Sequence, residues 1–193
     1  MAHTVREEWL LAAVEELRPM FEAQGAKLPD AIRVTCGFPS NAKRSGAIGE
    51  AWSSASSADK HWEILISPVL AEPARVFDVL IHELCHTTAG AMNHGKVFGS
   101  VAHRMGLVMS GNSWKSTMQG PTFAEMYGAI IDGLGAYPHA PLSMGRVKGN
   151  HLECRYHGLT FAPDGTCTRI PSQDNIPSSA KVRSFPVVER NHW

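Results

Sequence analysis

The chain has 193 residues, of which 44% are hydrophobic, so it can bury a core and is not disordered as a whole. Its 18 basic residues balance 18 acidic ones, so its net charge indicates neither a nucleic acid nor a membrane surface as partner. The N-terminal segment lacks the apolar stretch of a signal peptide and no apolar run approaches the roughly 20 residues that cross a bilayer, so the sequence predicts a soluble, cytoplasmic protein.

Four segments have the periodicity of amphipathic helices, and three read as short strands. The predicted helices are residues 5–24, 74–89, 96–105 and 121–134. The predicted strands are residues 32–36, 48–52 and 61–67. After Pro141 the helical periodicity ends, and short strand-like pieces between proline and glycine turns follow. The sequence therefore predicts two domains, residues 1–142 and residues 143–193.

The third predicted strand is followed by a helix that carries the pattern H-E-x-x-H at residues 82–86. Positions i and i+4 share one face of a helix, so His82 and His86 can point at one metal ion. Glu83 lies beside such an ion, where its carboxylate can hold a water molecule as a general base. His94 is the natural third ligand, which leaves a fourth position open for water. The alternative interpretation is an exposed helix face whose two histidines bind no metal.

This motif and several shorter segments of residues 5–142 resemble the SprT-like metallopeptidase family. The resemblance rests on H-E-L-x-H at residues 82–86, on H-G-x-x-F at residues 94–98, and on residues 37–39, 47–52, 64–68 and 134–139. It implies an α+β, zincin-like core with a small sheet packed on an active-site helix. It also implies Zn²⁺ held by His82, His86 and His94, with Glu83 as the catalytic residue.

The function predicted from this motif is that of a zinc-dependent metallopeptidase, which hydrolyses a protein or peptide substrate with metal-activated water. Some members of the family cleave proteins crosslinked to DNA, so a DNA-associated substrate is a further expectation. Residues 1–142 are slightly acidic and show no basic stripe, which does not favour it. One alternative is a non-catalytic zinc-binding module that acts in DNA repair or transcription. The sequence predicts no membrane partner and leaves the oligomeric state open.

Residues 141–193 resemble the second half of a Rieske [2Fe–2S] domain of the aromatic-ring oxygenase kind. Cys154 and His157, in C-x-x-H-G, correspond to the second ligand pair of such a cluster. A Rieske cluster needs two cysteines and two histidines. The upstream position of the first cysteine holds Tyr137, followed by Pro138 and His139. Because tyrosine is not a thiolate, the resemblance implies half of a cluster site.

Three interpretations of this tail remain open. The first is an intact Rieske-type iron–sulfur electron-transfer protein. The second is a structural zinc ion held by His151, Cys154, His157 and Cys167. The third, which we favour, is a short β-rich fragment without its strand partners and therefore with loose order.

Overall fold

The computed structural model describes residues 3–40, 46–88, 91–138, 146–154, 158–171 and 175–182. The chain divides into two compact units, Met1–His139 and Ala140–Trp193, called unit 1 and unit 2 below. The predicted domain boundary, between residues 142 and 143, lies outside the described residues. In the described part of the chain, no helix combines the length and the apolar character that a membrane span requires.

Unit 1 mixes helices and strands. Its helices are α1 (Arg6–Ala23), α2 (Pro73–Thr87), α3 (Lys96–Arg104) and α4 (Phe123–Leu134). Its strands are β1 (Ile32–Cys36), β2 (Gly49–Trp52), β3 (Trp62–Ile66), β4 (Leu107–Met109) and β5 (Thr117–Gln119), and a 3₁₀ turn covers Ser54–Ser56. The sequence predicted the four helices and the first three strands to within two residues at each end. It did not predict β4 and β5, because three residues are too few to display a periodicity.

The first three strands form one sheet, in which β3 lies in the middle, parallel to β1 and antiparallel to β2. Alternate residues of β1 and β3, among them Val34, Ile64 and Ile66, point into the core. The buried face of α1 packs into the same core through Trp9, Leu17 and Phe21. Strands β4 and β5 form a separate antiparallel hairpin.

Helix α2 runs through the interior of unit 1. Pro73 occupies its first turn, and the Glu72 carboxylate accepts hydrogen bonds from the backbone N–H groups of Ala74 and Arg75. Every residue from Val76 to Thr87 is buried, which fits a helix with apolar residues on most of its circumference. His82, Glu83 and His86 therefore lie inside the protein, and the alternative of an exposed helix face is wrong.

Unit 2 contains a four-stranded antiparallel sheet, ordered β6-β7-β8-β9. The strands are β6 (Arg146–Lys148), β7 (His151–Glu153), β8 (Thr160–Phe161) and β9 (Cys167–Arg169). Phe161, Cys167 and Ala180 form a small core of their own. Each of these strands is paired with a neighbour, so the expected lack of strand partners is not found for them.

Candidate functional site

A cleft of about 790 Å³ opens in unit 1 between β2, α2 and the segment that leads into β5. Helix α2 contributes His82, Glu83 and His86, because these residues lie on the face of the helix that turns toward β2 and β5. His94 reaches the cleft from the loop before α3. Lys115 lines the opening. The four residues that the histidine motif predicted as a site therefore all line this one cleft.

The three imidazoles converge on one point. The Nε2 atom of His94 lies 3.2 Å from Nε2 of His82 and 3.2 Å from Nε2 of His86. Two nitrogen ligands about 2.05 Å from one ion, at a tetrahedral angle, lie roughly 3.3 Å apart. The three ligand atoms lie within 4.8 Å of one another, and they form the one such group of three or more found in the described part of the chain. This spacing fits a single metal ion with three nitrogen ligands.

The outer nitrogens of two rings are held by the protein. His86 Nδ1 lies 3.0 Å from the carbonyl oxygen of Ala91. Because a carbonyl only accepts, Nδ1 carries the proton and the Nε2 lone pair faces the centre. His82 Nδ1 lies 2.9 Å from the hydroxyl oxygen of Thr117 on β5. The sequence did not single out Thr117, since 35 positions separate it from His82 and no spacing rule links them.

Phe98 supports the three rings from one side. Its ring centroid lies 4.9 Å from that of His82, 4.5 Å from that of His86 and 4.9 Å from that of His94. Phe98 is fully buried in the first turn of α3. These contacts give a physical role to the phenylalanine of the H-G-x-x-F segment, which was not among the predicted site residues.

Burial controls the charge of these rings. It lowers the pKa of His82 to about 3 and that of His86 to about 4, and it lowers the pKa of His94 as well. Repulsion between neighbouring imidazolium charges acts in the same direction on His82 and His86. The rings are therefore neutral near pH 7, the form in which an imidazole nitrogen binds a metal ion.

Glu83 is buried beside the three rings. Burial, together with the nearby negative charge of Glu50, raises the pKa of its carboxyl to about 8. The backbone of Gly49 on β2 lies against this carboxyl group, and a Cβ at Gly49 would overlap it. A cation at the histidines would favour the ionised form of Glu83, which could then accept a proton from water.

A known family matches the C-terminal part of this chain. Residues 136–186 match the Rieske [2Fe-2S] domain family. The iron–sulfur subunit TsaM1 of the toluene-4-sulfonate monooxygenase system of Comamonas testosteroni is 52% identical over 52 residues, which are 27% of this chain and 15% of the subunit. The oxygenase component of dicamba O-demethylase from Stenotrophomonas maltophilia is 46% identical over 67 residues, which are 33% of this chain and 20% of that protein.

A third relative is methylxanthine N1-demethylase NdmA of Pseudomonas putida, 44% identical over 57 residues, which are 28% of this chain and 16% of NdmA. The chain thus spans no more than a fifth of the length of these three relatives. No solved structure matches the chain.

These matches overturn the function predicted from the histidine motif. The predictions of a zinc-dependent metallopeptidase and of Zn²⁺ as its cofactor are wrong, because the relatives are components of Rieske oxygenase systems and no SprT-like or zinc protease family matches. A Rieske domain implies a [2Fe–2S] cluster instead. The physical reason for the error is that H-E-x-x-H records only which side chains share a helix face. It specifies neither the ion nor the reaction.

The residues of this chain fit half of a Rieske ligand set. Cys154 is half-buried and directly follows β7, and His157 lies outside the described residues. Tyr137 stands where the first cysteine is expected, and its ring is buried in unit 1, 5.1 Å from the ring of Trp9 and 5.1 Å from the guanidinium of Arg6. A complete cluster therefore does not fit the residues of one chain.

The other proposed ligand set of the tail is not assembled either. His151, Cys154 and Cys167 do not form a group within metal-binding distance among the described residues. The Sγ atom of Cys167 donates a hydrogen bond to the carbonyl oxygen of Arg169, 3.4 Å away, inside the small core of unit 2. A structural zinc ion held by these residues and His157 is therefore not supported.

Proposed function

We propose that this chain is an iron–sulfur protein of the Rieske electron-transfer type, in which unit 2 supplies one of the two ligand pairs of a cluster. The observation that carries the proposal is the match of residues 136–186 to the Rieske domain, supported by identities of 44–52% to three oxygenase-system proteins. Cys154 and His157, with the C-x-x-H-G spacing, are the proposed ligands. When bound, such a cluster exchanges single electrons.

We infer that the second ligand pair comes from another polypeptide, because Tyr137 offers no thiolate and is buried in unit 1. A second copy of this chain is the simplest source. Two copies together contribute two cysteines and two histidines, which is the number of each that a Rieske cluster uses. The proposal therefore couples cluster binding to dimer formation.

Anaerobic reconstitution of the full chain with ferrous iron and sulfide tests this. We expect one cluster for every two chains, with a visible absorption band, an electron paramagnetic resonance signal after reduction, and a dimer in sedimentation. Cys154→Ala should abolish all of these, whereas Cys167→Ala, which removes the other thiol of unit 2, should retain the cluster. A colourless wild-type protein without iron or sulfide would contradict the proposal.

The geometry of unit 1 favours a second function, the binding of a metal ion in the cleft. We propose His82, His86 and His94 as ligands of one divalent first-row transition ion, on the basis of their 3.2 Å nitrogen separations and the neutral state of the rings. Glu83, buried beside these ligands, is the proposed catalytic residue, in the role of a general base. The match to the Rieske domain does not extend to these residues.

Metal binding by wild type, His94→Ala and His103→Ala tests the second proposal. Co²⁺ is a suitable probe, because its visible absorption bands report the number and type of ligands. We expect one ion for each wild-type chain and none for His94→Ala. His103 is exposed on α3 and serves as a matched control that should leave binding unchanged. Equal binding by wild type and His94→Ala would remove His94 from the ligand set.

A further inference from the structure

Two side chains of β5 contact two side chains of α2, and one of these contacts is the one to His82. Thr117 Oγ1 lies 2.9 Å from His82 Nδ1. The Gln119 side-chain N–H donates to Asp78 Oδ2 over 2.9 Å. Thr117 and Gln119 point to the same side of their strand because they are two residues apart, and Asp78 and His82 share a helix face because they are four apart.

The spacings of the two pairs match. Two residues of strand advance by roughly 6.6 Å, and four residues of helix advance by about 6.0 Å. Strand β5 can therefore lie along α2, in the opposite direction, and form both contacts at once. A shift of one residue in the strand would turn both side chains away from the helix.

The contact at Asp78 is the stronger of the two. Asp78 is 1% exposed, and its other carboxylate oxygen accepts a hydrogen bond from the guanidinium of Arg75. Hydrogen bonds to a charged acceptor are about twice as strong as neutral ones. Leaving a buried carboxylate without its donors is costly, so Asp78 holds Gln119 in place.

The contact at His82 is the weaker one, and it concerns a proposed metal ligand. A threonine hydroxyl can donate or accept, so it does not fix the proton on His82 Nδ1 as the Ala91 carbonyl does for His86. Thr117 can instead fix the orientation of the His82 ring, provided that Thr117 is itself held in position. Thr117 is 8% exposed, and Gln119 two residues away provides the anchor.

We propose that Thr117 and Gln119 are positioning residues of the metal centre. Gln119 anchors β5 to α2 through Asp78, and Thr117 then holds the His82 ring with its Nε2 atom toward the metal ion. The inference rests on the metal centre proposed above for His82, His86 and His94. It assigns a role to the β4–β5 hairpin, which supplies no metal ligand of its own.

Titration of the full chain with Co²⁺ tests this through the affinity and the absorption bands of the bound ion. Replacement of groups that orient a metal ligand typically lowers metal affinity between about 10-fold and 100-fold. We expect Thr117→Val, which exchanges the hydroxyl for a methyl group, to lower the affinity about 10-fold and to change the bands. Thr117→Ser restores the hydroxyl and should restore both. Met118→Ala, on the opposite face of the same strand and 50% exposed, is the matched control.

A double variant separates the two roles. If Gln119 acts through Thr117, Gln119→Leu weakens Co²⁺ binding, but the Thr117→Val/Gln119→Leu variant binds no more weakly than Thr117→Val alone. Additive losses would overturn the anchoring role of Gln119. Equal affinity and equal bands in wild type and Thr117→Val would overturn the inference and leave the metal centre intact. A wild-type protein that binds no Co²⁺ would overturn the metal centre, and this inference with it.

Discussion

The backbone of Gly49 on β2 lies in contact with the carboxyl group of Glu83 on α2. A Cβ at Gly49 would overlap the Glu83 carboxylate and would lie 2.8 Å from Glu83 Cγ and 2.8 Å from Val79 Cγ1. Real Cβ atoms do not come this close to other heavy atoms, so the absence of a side chain at Gly49 is what allows Glu83 to occupy its position beside the histidines.

Gly49→Ala should therefore destabilise unit 1 and displace Glu83. Overpacking of a filled interior typically costs about 1–3 kcal/mol, and we expect a loss of free energy of unfolding in this range. Urea unfolding of the purified variant measures it. The matched control is Gly128→Ala on α4, where a Cβ meets no atom within 4 Å. That variant should gain about 0.5–1 kcal/mol, because alanine favours the helix. Equal effects at the two glycines would contradict the argument.

Asp78 should make the stability of unit 1 depend on pH. Burial raises the pKa of its carboxyl from 3.8 to about 6, although Gln119 and Arg75 lower it. Between these pH values the Asp78 carboxyl holds a proton in the folded state that it has lost in the unfolded state. The stability that this carboxyl contributes is therefore highest below about pH 4 and is lost as the pH rises through 6. A pKa shift of this size corresponds to a change of at most about 3 kcal/mol in the free energy of unfolding.

The measurement is the free energy of unfolding in urea at pH 4.5 and pH 7 for wild type and Asp78→Asn. Asparagine cannot titrate, so the variant should lose less stability than wild type between these pH values. Gln119→Leu should act in the opposite direction. It removes a donor that lowers the pKa of Asp78, so the pKa should rise and the loss of stability should extend to higher pH. Parallel pH profiles for wild type and Asp78→Asn would show that Asp78 is not responsible.

Arg6 should contribute more to stability than an exposed arginine does. Its buried guanidinium donates to the carbonyl oxygens of Pro68 and Pro138 at 3.0 and 2.8 Å, and to Cys36 Sγ at 3.2 Å. Removing a charged donor from such acceptors leaves them unsatisfied, so Arg6→Ala should cost about 3 kcal/mol or more in thermal or urea unfolding. Arg33→Ala breaks ion pairs with the exposed or partly exposed carboxylates of Asp59 and Glu63 and should cost much less, because solvent screens such pairs.

Metal binding should raise the stability of unit 1. A ligand that binds only the folded state adds about 2.7 kcal/mol at a free concentration 100 times its dissociation constant. We expect Co²⁺ to raise the midpoint of thermal unfolding of the wild type, and a chelator to reverse the change. His94→Ala should show no such shift, whereas His103→Ala should behave as the wild type. A shift of equal size in His94→Ala would place the ion elsewhere.

The sequence predicted those parts of the site that lie close together along the chain. The four-residue spacing of His82 and His86 and the nearby His94 were sufficient to predict that three imidazoles converge. The contacts of His82 with Thr117 and of Glu83 with Gly49 were not predicted, because each joins residues more than 30 positions apart. The hairpin that carries Thr117 consists of two three-residue strands, which are too short to show a period.

The reaction was the part that the sequence predicted wrongly for unit 1. Helical spacing fixes which groups meet, and many chemistries use the same groups. In the tail, the C-x-x-H-G spacing at Cys154 correctly indicated the Rieske relationship, because those residues are close in sequence. The sequence also indicated that Tyr137 occupies the position of the first cysteine. The packing of the Tyr137 ring against Trp9 and Arg6 could not be predicted, because it joins residues that are far apart along the chain.

Tyr137 has a consequence for any attempt to restore a complete cluster site in one chain. The exchange Tyr137→Cys supplies a thiol, but it also removes an aromatic ring that unit 1 uses between Trp9 and Arg6, so a gain in iron binding would be accompanied by a loss of stability. Residue 137 cannot be both a cysteine ligand of the cluster and the aromatic ring that packs in unit 1. An engineer would have to lengthen the connection after Pro138 and place a new cysteine and histidine there, leaving the tyrosine in its present place.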